Sequence, residues 1–336
     1  MSLETHIAGS EDQLISGLHF SGSNTASYIT DRRQVSFAPQ SASNFKPSGS
    51  RLMRISLADE QGFLDGATVR SIFKITNLST TGALTPLVDS PASMFRRLRI
   101  LCNGSGVVED VEQYNRVHQM FSQLLPSQRR MNNITESWGG SNAASTLSAP
   151  RAGAPIPADS KRTVVVHLMS SFLSQGKMIP LSLIPAVLEL ELGELNDCFS
   201  SDANKWEISR PRLVADVVTL DQSLMNAHSS HILSGKSLPI PMTGLYSVTS
   251  AIPIGSSQYS FPIVRGFTRL QTIYVTFHDN DAQGKFVTRL YSPLDGEENL
   301  SATDNMEYYF QIGSERFPSS LSIPTKRAST DFAWLS

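Results

Sequence analysis

The sequence predicts an all-β protein of antiparallel sheets, folded as sandwiches or barrels with a few short helices. Three observations predict it. Apolar and polar residues alternate in many short runs, and Gly, Pro, Asn or Asp interrupts nearly every one. Serine, poorly suited to helix interiors and at home in turns, supplies 49 of the 336 residues. The chain also exceeds the roughly 250–300 residues that one core serves, so two packed units are expected.

Residues 1–50 read as an N-terminal arm. They hold eleven Ser, little periodicity, and three basic against four acidic residues, with a helical turn near "EDQLISGL". Strands begin at 51 with "RLMRISL". In "ATVRSIFKITNL", Val69 and Phe73 share one side, while Arg70 and Lys74 do not. In "FRRLRILCN", Leu98, Ile100 and Cys102 oppose Arg97, Arg99 and Leu101. One amphipathic helix is expected in "EDVEQYNRVHQMFSQLLP". There Val111, Tyr114, Val117, Phe121, Leu124 and Leu125 recur at helical spacing, Asp110 and Gln113 form a capping-box pair, and Pro126 closes the segment. A lone helix of this kind in a β-rich protein is expected to cover a barrel end.

Residues 132–160 form a long Ser-, Ala- and Pro-rich loop, expected to project from the surface. "KRTVVVHLM", "PAVLELELG" and "PRLVADVVTLD" follow as strands. The cleanest is "VLELELG", with Leu188, Leu190 and Leu192 facing inward and Glu189 and Glu191 facing solvent. "DQSLMNAHSSHILSG" reads as a second helix ending at Gly235. The last third returns to strands with "FTRLQTIYVTFH", "KFVTRLYSP" and "EYYFQIGS".

A weak internal repeat pairs "RLMRI" and "RRLRI" in the first part with "FTRLQ" and "YYFQI" in the last. On that reading the second unit is short. Either it is a smaller barrel or the protein is a truncated product.

Composition narrows the function classes. A formal net charge of −2 gives no overall drive toward nucleic acid or an anionic membrane. A hydrophobic content of 40% excludes wholesale disorder. No apolar run approaches the ~20 residues of a membrane-spanning helix, and the first 30 residues lack a secretory signal pattern, so secretion by signal peptide is not expected. Cys102 and Cys198 are expected as reduced, partly buried thiols. Glycosylation-type triplets at Asn77, Asn103, Asn133 and Asn299 read as turn asparagines.

Each candidate for chemistry fails on a specific residue. Gly235-Lys236-Ser237 lacks the earlier Gly of a phosphate loop, because Ser230 stands there. His228 and His231 could share one helical face, but no third metal ligand has helpful spacing. Asp279, Asp281 and Gly284 resemble the start of a calcium loop whose twelfth position is Leu290, so a hairpin turn is the simpler reading. Gly104-Ser105-Gly106 has the wrong spacing for a nucleophile elbow. A Ser/His/Asp triad assembles in space and stays open at this point. No catalytic residue, cofactor site or metal site is assigned, and the protein is read as a non-enzyme. Trp138 and Trp206 are the residues nominated for sugar stacking under an alternative reading, a jelly-roll carbohydrate-binding or virion spike module.

Four stretches carry a family resemblance in a consistent order. "FRRLRILCNGSGVVEDVEQYNRVHQMFSQLLPSQRR" resembles the strand, Glu-x-Tyr-Asn and helix of the first barrel of double jelly-roll major capsid proteins. "FLSQGKMIPLSLIPAVLELELG" resembles their Pro-Leu strand leading into an alternating Leu/Glu strand. "WEISRPRLVADVVTLDQSLMNAHSSHILSGKSLPI" is similar to the end of barrel one and the crossover, and "YYFQIGSERFPSSLSIPT" to a strand and loop of barrel two. The similarity is greatest to polinton-like viruses, virophages and adintoviruses. It implies two tandem jelly rolls: the arm at 1–50, a first jelly roll at 51–225 carrying the 132–160 loop, a crossover linker at 226–250, and a second jelly roll at 251–336. It also implies a major capsid protein in the virion capsid, forming pseudo-hexameric homotrimers that tile an icosahedral shell. Its partners would be neighbouring capsomers and minor capsid or penton proteins, with no sequence-specific nucleic acid; membrane contact is left open. Family members run well beyond the 336 residues here, so whether the second jelly roll is complete stays open at this point. "RASTDFAWL" also departs from the family pattern, with no early acidic residue in its helix.

Overall fold

The computed structural model describes residues 29–60, 62–86, 90–124, 137–138, 154–174, 176–199, 205–235, 240, 242–253, 256, 258–280, 286–291 and 309–317. Eight long strands lie between residues 29 and 220: β1 (Ile29–Phe37), β3 (Leu52–Leu57), β5 (Arg70–Asn77), β6 (Phe95–Cys102), β7 (Gly106–Glu112), β8 (Lys161–Val166), β10 (Ala186–Leu192) and β11 (Trp206–Leu220). Three two-residue strands, β2 (Asn44–Phe45), β4 (Phe63–Leu64) and β9 (Ile179–Pro180), extend one sheet.

One sheet runs β1–β11–β5–β8 and the other β3–β10–β6–β7, with every pair antiparallel. Counted along the sequence, the long strands lie first-eighth-third-sixth in one sheet and second-seventh-fourth-fifth in the other. Consecutive strands therefore alternate between sheets except at the fourth and fifth, which form a hairpin. This is the winding of an eight-stranded jelly roll.

Period-two patterning builds the core. Met53, Ile55 and Leu57 from β3, Leu98, Ile100 and Cys102 from β6, and Leu188, Leu190 and Leu192 from β10 face Phe73 and Ile75 of β5, Val164 and Val166 of β8, and Ile208, Leu213, Ala215 and Val217 of β11. Phe73 and Phe95 meet edge to face, with centroids 5.5 Å apart. Each fully buried side chain of this size contributes about 1.5–3 kcal/mol relative to exposure.

The expected arm differs from the structure in its second half. Residues 29–37 are the first strand of the jelly roll, and Phe37 and Phe45 enter its core. Their apolar signal is faint because β1 is an edge strand with a charged outer surface. Arg32 bonds Asp216 at 2.8 Å and Asp65 at 2.7 Å, and Arg33 bonds Asp59 at 2.8 Å. Charged side chains on an edge discourage pairing with stray strands. Residues 1–28, including "EDQLISGL", lie outside the described residues.

The helix α1 (Tyr114–Gln123) starts later than its capping-box reading requires. Asp110 sits in β7, where Arg97 takes both its oxygens at 2.7 Å, and Val111 faces the core from the same strand. The backbone enters α1 through Gln113 at φ 51°, with no side-chain cap. Leu125 and Pro126 lie outside the described residues. Strand β11 begins at Trp206 and accommodates Pro211 by a register shift between Ser209 and Arg212, with Arg210 at φ 51°.

A short helix α2 (Leu195–Cys198) precedes β11, and α3 (Gln222–Leu233) follows it, capped by Asp221 accepting from the Ser223 amide. Gly235, at φ 79°, ends that segment as expected. The described residues beyond it hold two hairpins, β12 (Phe277–Asn280) with β13 (Phe286–Tyr291) and β14 (Phe310–Ile312) with β15 (Glu315–Phe317). The strand expected from "FTRLQTIYVTFH" is present only from Phe277, because the described residues between 242 and 276 form no strand. The repeat markers do not correspond: "RLMRI" and "RRLRI" fall on β3 and β6 of one sheet, whereas the "FTRLQ" residues are in no strand.

Candidate functional site

The outer face of the β3–β10–β6–β7 sheet carries rows of alternating charge. Antiparallel register sets Arg54 opposite Glu189, Glu189 opposite Arg99, and Arg99 opposite Asp110, one residue per strand. A second row sets Glu191 opposite Arg97 and Arg97 opposite Glu112. Arg54 Nε donates to Glu189 Oε1 at 2.8 Å, Arg99 stands 3.6 Å from the other Glu189 oxygen, and Arg99 reaches Asp110 at 3.3 Å. The Arg97 guanidinium holds the Asp110 carboxyl below its ordinary range, and Asp110 in turn raises Arg97.

This corrects the solvent-facing reading of Glu189. It does point away from the core, yet it is only 4% exposed because two arginines close over it. A polar cavity of ≈ 210 Å³ lies along the second row, lined by Glu191, Arg97 and Glu112 together with Arg96 and Gln113. Charges of both signs line it, so the face reads as cross-strand ion pairing rather than as a cradle for one charged ligand.

Inside the sandwich, core-facing Glu109 accepts from Ser170 Oγ at 2.5 Å, from the Ser171 amide at 2.8 Å and from the Phe172 amide at 3.2 Å. Those three donors shape the turn after β8. The Tyr114 hydroxyl accepts from the Met169 amide at 2.7 Å. Beside it, burial and then the nearby His167 push the His118 imidazole down to about 4. Burial, then the Arg70 charge, lowers His167 as well.

The nominated residues disperse. Trp138 and Trp206 are fully buried on either side of Phe199, at 6.3 Å and 5.7 Å between ring centroids, so neither offers a face to a sugar. Trp138 also anchors the expected projecting loop: Arg162 donates to its carbonyl at 3.0 Å and to the Ala154 carbonyl at 2.6 Å. Residues 132–136 and 139–153 of that loop lie outside the described residues. His228 packs on the Phe63 ring at 5.8 Å. Among the described residues no group of three or more His, Cys, Asp or Glu could hold a metal ion. Asp279 lies in β12, and Asp281 and Gly284 lie outside the described residues. Cys102 and Cys198 are buried thiols, with Cys102 raised by burial.

One feature missed in the sequence is the apolar surface along 246–270. Tyr246, Val248 and Ile252, then Tyr259, Phe261 and Ile263, are exposed at alternating positions, and Val264 is 89% exposed. The stretch doubles back, with Tyr246 5.9 Å from Phe267 and Arg265 4.3 Å above the Tyr246 ring. The alternation was visible in "YSVTSAI" and "YSFPIV".

The sequence matches no protein-family model and no curated protein. Among solved structures it is similar to one from the Sputnik virophage determined by cryo-EM, at 12% identity and TM-score 0.38, over 61% of this chain and 52% of that one. It is similar to one from Sulfolobus Turreted Icosahedral Virus at 13% identity and TM-score 0.30, over 56% and 45%. The STIV MCP crystal structure gives 14% identity and TM-score 0.31, over 61% and 51%. The protein spans about half the length of these solved structures.

Proposed function

We propose that this protein is a major capsid protein whose homotrimers, pseudo-hexameric in outline, tile an icosahedral virion shell. The observation that carries the reading is the winding of residues 29–220 into a jelly roll with one continuous core. The ordered resemblance of four stretches to double jelly-roll capsid proteins adds to it. A shell wall needs rigid sandwiches and broad lateral contacts rather than converging catalytic groups. The ion-paired outer face and the buried tryptophans suit that role. On this reading the arm is residues 1–28, the crossover occupies 226–250, and residues 251–336 contribute to a second jelly roll. Six lobes per trimer then match a hexagonal lattice position. Neighbouring capsomers and minor capsid or penton proteins are its partners, and its role is structural rather than enzymatic.

Size-exclusion chromatography with light scattering tests this. The expected particle has three times the 36.8 kDa mass of one copy. A monomer that persists as concentration rises overturns the trimer.

A further inference from the structure

We infer that Asn103 is a site of spontaneous covalent modification, closing a ring with Gly104 and opening to aspartate and isoaspartate. Asn103-Gly104 is the only Asn-Gly pair in the sequence. It forms the tip of the turn between β6 and β7, where residues 103–105 are all exposed. Gly104 takes φ 84°, and the position a side chain would occupy meets no atom within 4 Å. Among the described residues, no hydrogen bond holds either the Asn103 side-chain amide or the Gly104 N–H. The turn is tied only at its base, by the Asn103 N–H to the Pro185 carbonyl at 3.1 Å and the Ser105 N–H to the Cys102 carbonyl at 3.2 Å. A free nucleophilic amide, a free electrophilic amide and no side chain between them are what ring closure needs.

In the step, the Gly104 backbone nitrogen attacks Asn103 Cγ. A new bond forms between that nitrogen and Cγ, the bond from Cγ to Nδ2 breaks, and Nδ2 leaves as ammonia with the proton from Gly104. Water then opens the cyclic imide. Cleavage at Cγ gives aspartate, and cleavage at the backbone carbonyl gives isoaspartate. Nothing is oxidised or reduced. Each event adds a negative charge at the turn, and isoaspartate adds a methylene to the backbone there.

Two other sites show what blocks the step. Asn77 precedes Leu78 and is 1% exposed. Its Nδ2 donates to the carbonyls of Gly82, Ile156 and Pro157 at 2.8, 3.1 and 3.0 Å. Asp65-Gly66 could form the same ring, but Arg32 holds the Asp65 carboxylate at 2.7 Å and Gly66 packs under the Leu173 backbone.

The test is incubation of the folded full-length protein at mildly alkaline pH, then acidic peptic digestion and mass spectrometry. The peptide containing Asn103 is expected to convert to aspartate and isoaspartate with first-order kinetics, while those containing Asn77 and Asn226 stay unchanged. Asn103→Gln abolishes conversion. Ser105→Ala, which removes the glycosylation triplet, leaves it intact. If folded protein retains Asn103 over a period in which the urea-unfolded protein is converted, the inference is overturned.

Discussion

Ser170 Oγ donates to the core-facing carboxylate of Glu109 at 2.5 Å, joining β7 to the turn after β8 across 61 residues of sequence. Two backbone amides of the same turn share that carboxylate. Charge-assisted hydrogen bonds in a buried setting are strong, and losing the acceptor strands three donors. Glu109→Ala is expected to cost about 2–4 kcal/mol, and Ser170→Ala about 1 kcal/mol because the two amides keep their acceptor. Urea titration of both variants checks the order. Equal losses would mean that the Ser170 hydroxyl carries the whole contact and the two amides add nothing to it.

The Arg54–Glu189–Arg99 row leads to an asymmetric expectation. Glu189 is buried, whereas the Arg54 side chain is 56% exposed. Removing Arg54 leaves Glu189 paired with Arg99, so Arg54→Ala is expected to cost less than about 1 kcal/mol. Glu189→Ala leaves two arginines facing each other and is expected to cost about 1–3 kcal/mol. Denaturant midpoints at low and high salt separate the two effects, since salt screens the exposed member more.

The inner halves of β6 and β10 were legible because Leu98, Ile100, Leu188 and Leu190 alternate against charge. What crosses to them was not. The same alternation that placed Glu189 outward cannot reveal that Arg54 and Arg99 lie on the neighbouring strands, because register is a property of sheet order. Strand β1 was illegible for a related reason. An edge strand with "TDRRQ" on its surface lacks the alternation by which buried strands are recognised. Asp110 reads equally well as a helix cap or a strand partner, and the Arg97 guanidinium on the next strand decided it. The jelly-roll winding itself required the pairing of β1 with β11, elements at opposite ends of the unit.

Acid should act on this fold in two windows. His118 stays neutral in the folded protein down to about 4, against an ordinary value of 6.5. The unfolded protein therefore binds a proton at higher pH. Stability is full above 6.5, falls as pH drops toward 4, and levels off below, with a loss of up to about 3 kcal/mol. Asp110 has the same preference for the deprotonated form, here the charged one, with a folded value lowered by Arg97. Its contribution is full above its ordinary 3.8 and disappears as pH falls through the lowered folded value. Thermal melts between pH 7 and 3 are expected to show both slopes. His118→Gln removes the upper one, and Asp110→Asn reduces the lower. An unchanged upper slope in His118→Gln would assign it to another group, with lowered His167 next in line.

A trimer should conceal the apolar stretch at 246–270. Val264 is 89% exposed and stands beside Ile263 and near Phe267 in sequence, a poor arrangement for a side chain meant to face water. It lies outside the jelly-roll core, whose last fully buried member is Val217 of β11 and against which Met242 and Leu245 also pack. Val264→Asp is therefore expected to leave the main unfolding transition in place. On the proposed homotrimer, it shifts the solution mass from three copies toward one, because a carboxylate in a desolvated contact lacks a partner. Val264→Ile keeps the trimer. Light scattering and thermal melting on the same samples distinguish the outcomes. A trimer that survives Val264→Asp places the contact elsewhere, and a lost melting transition would mean that Val264 supports the fold itself.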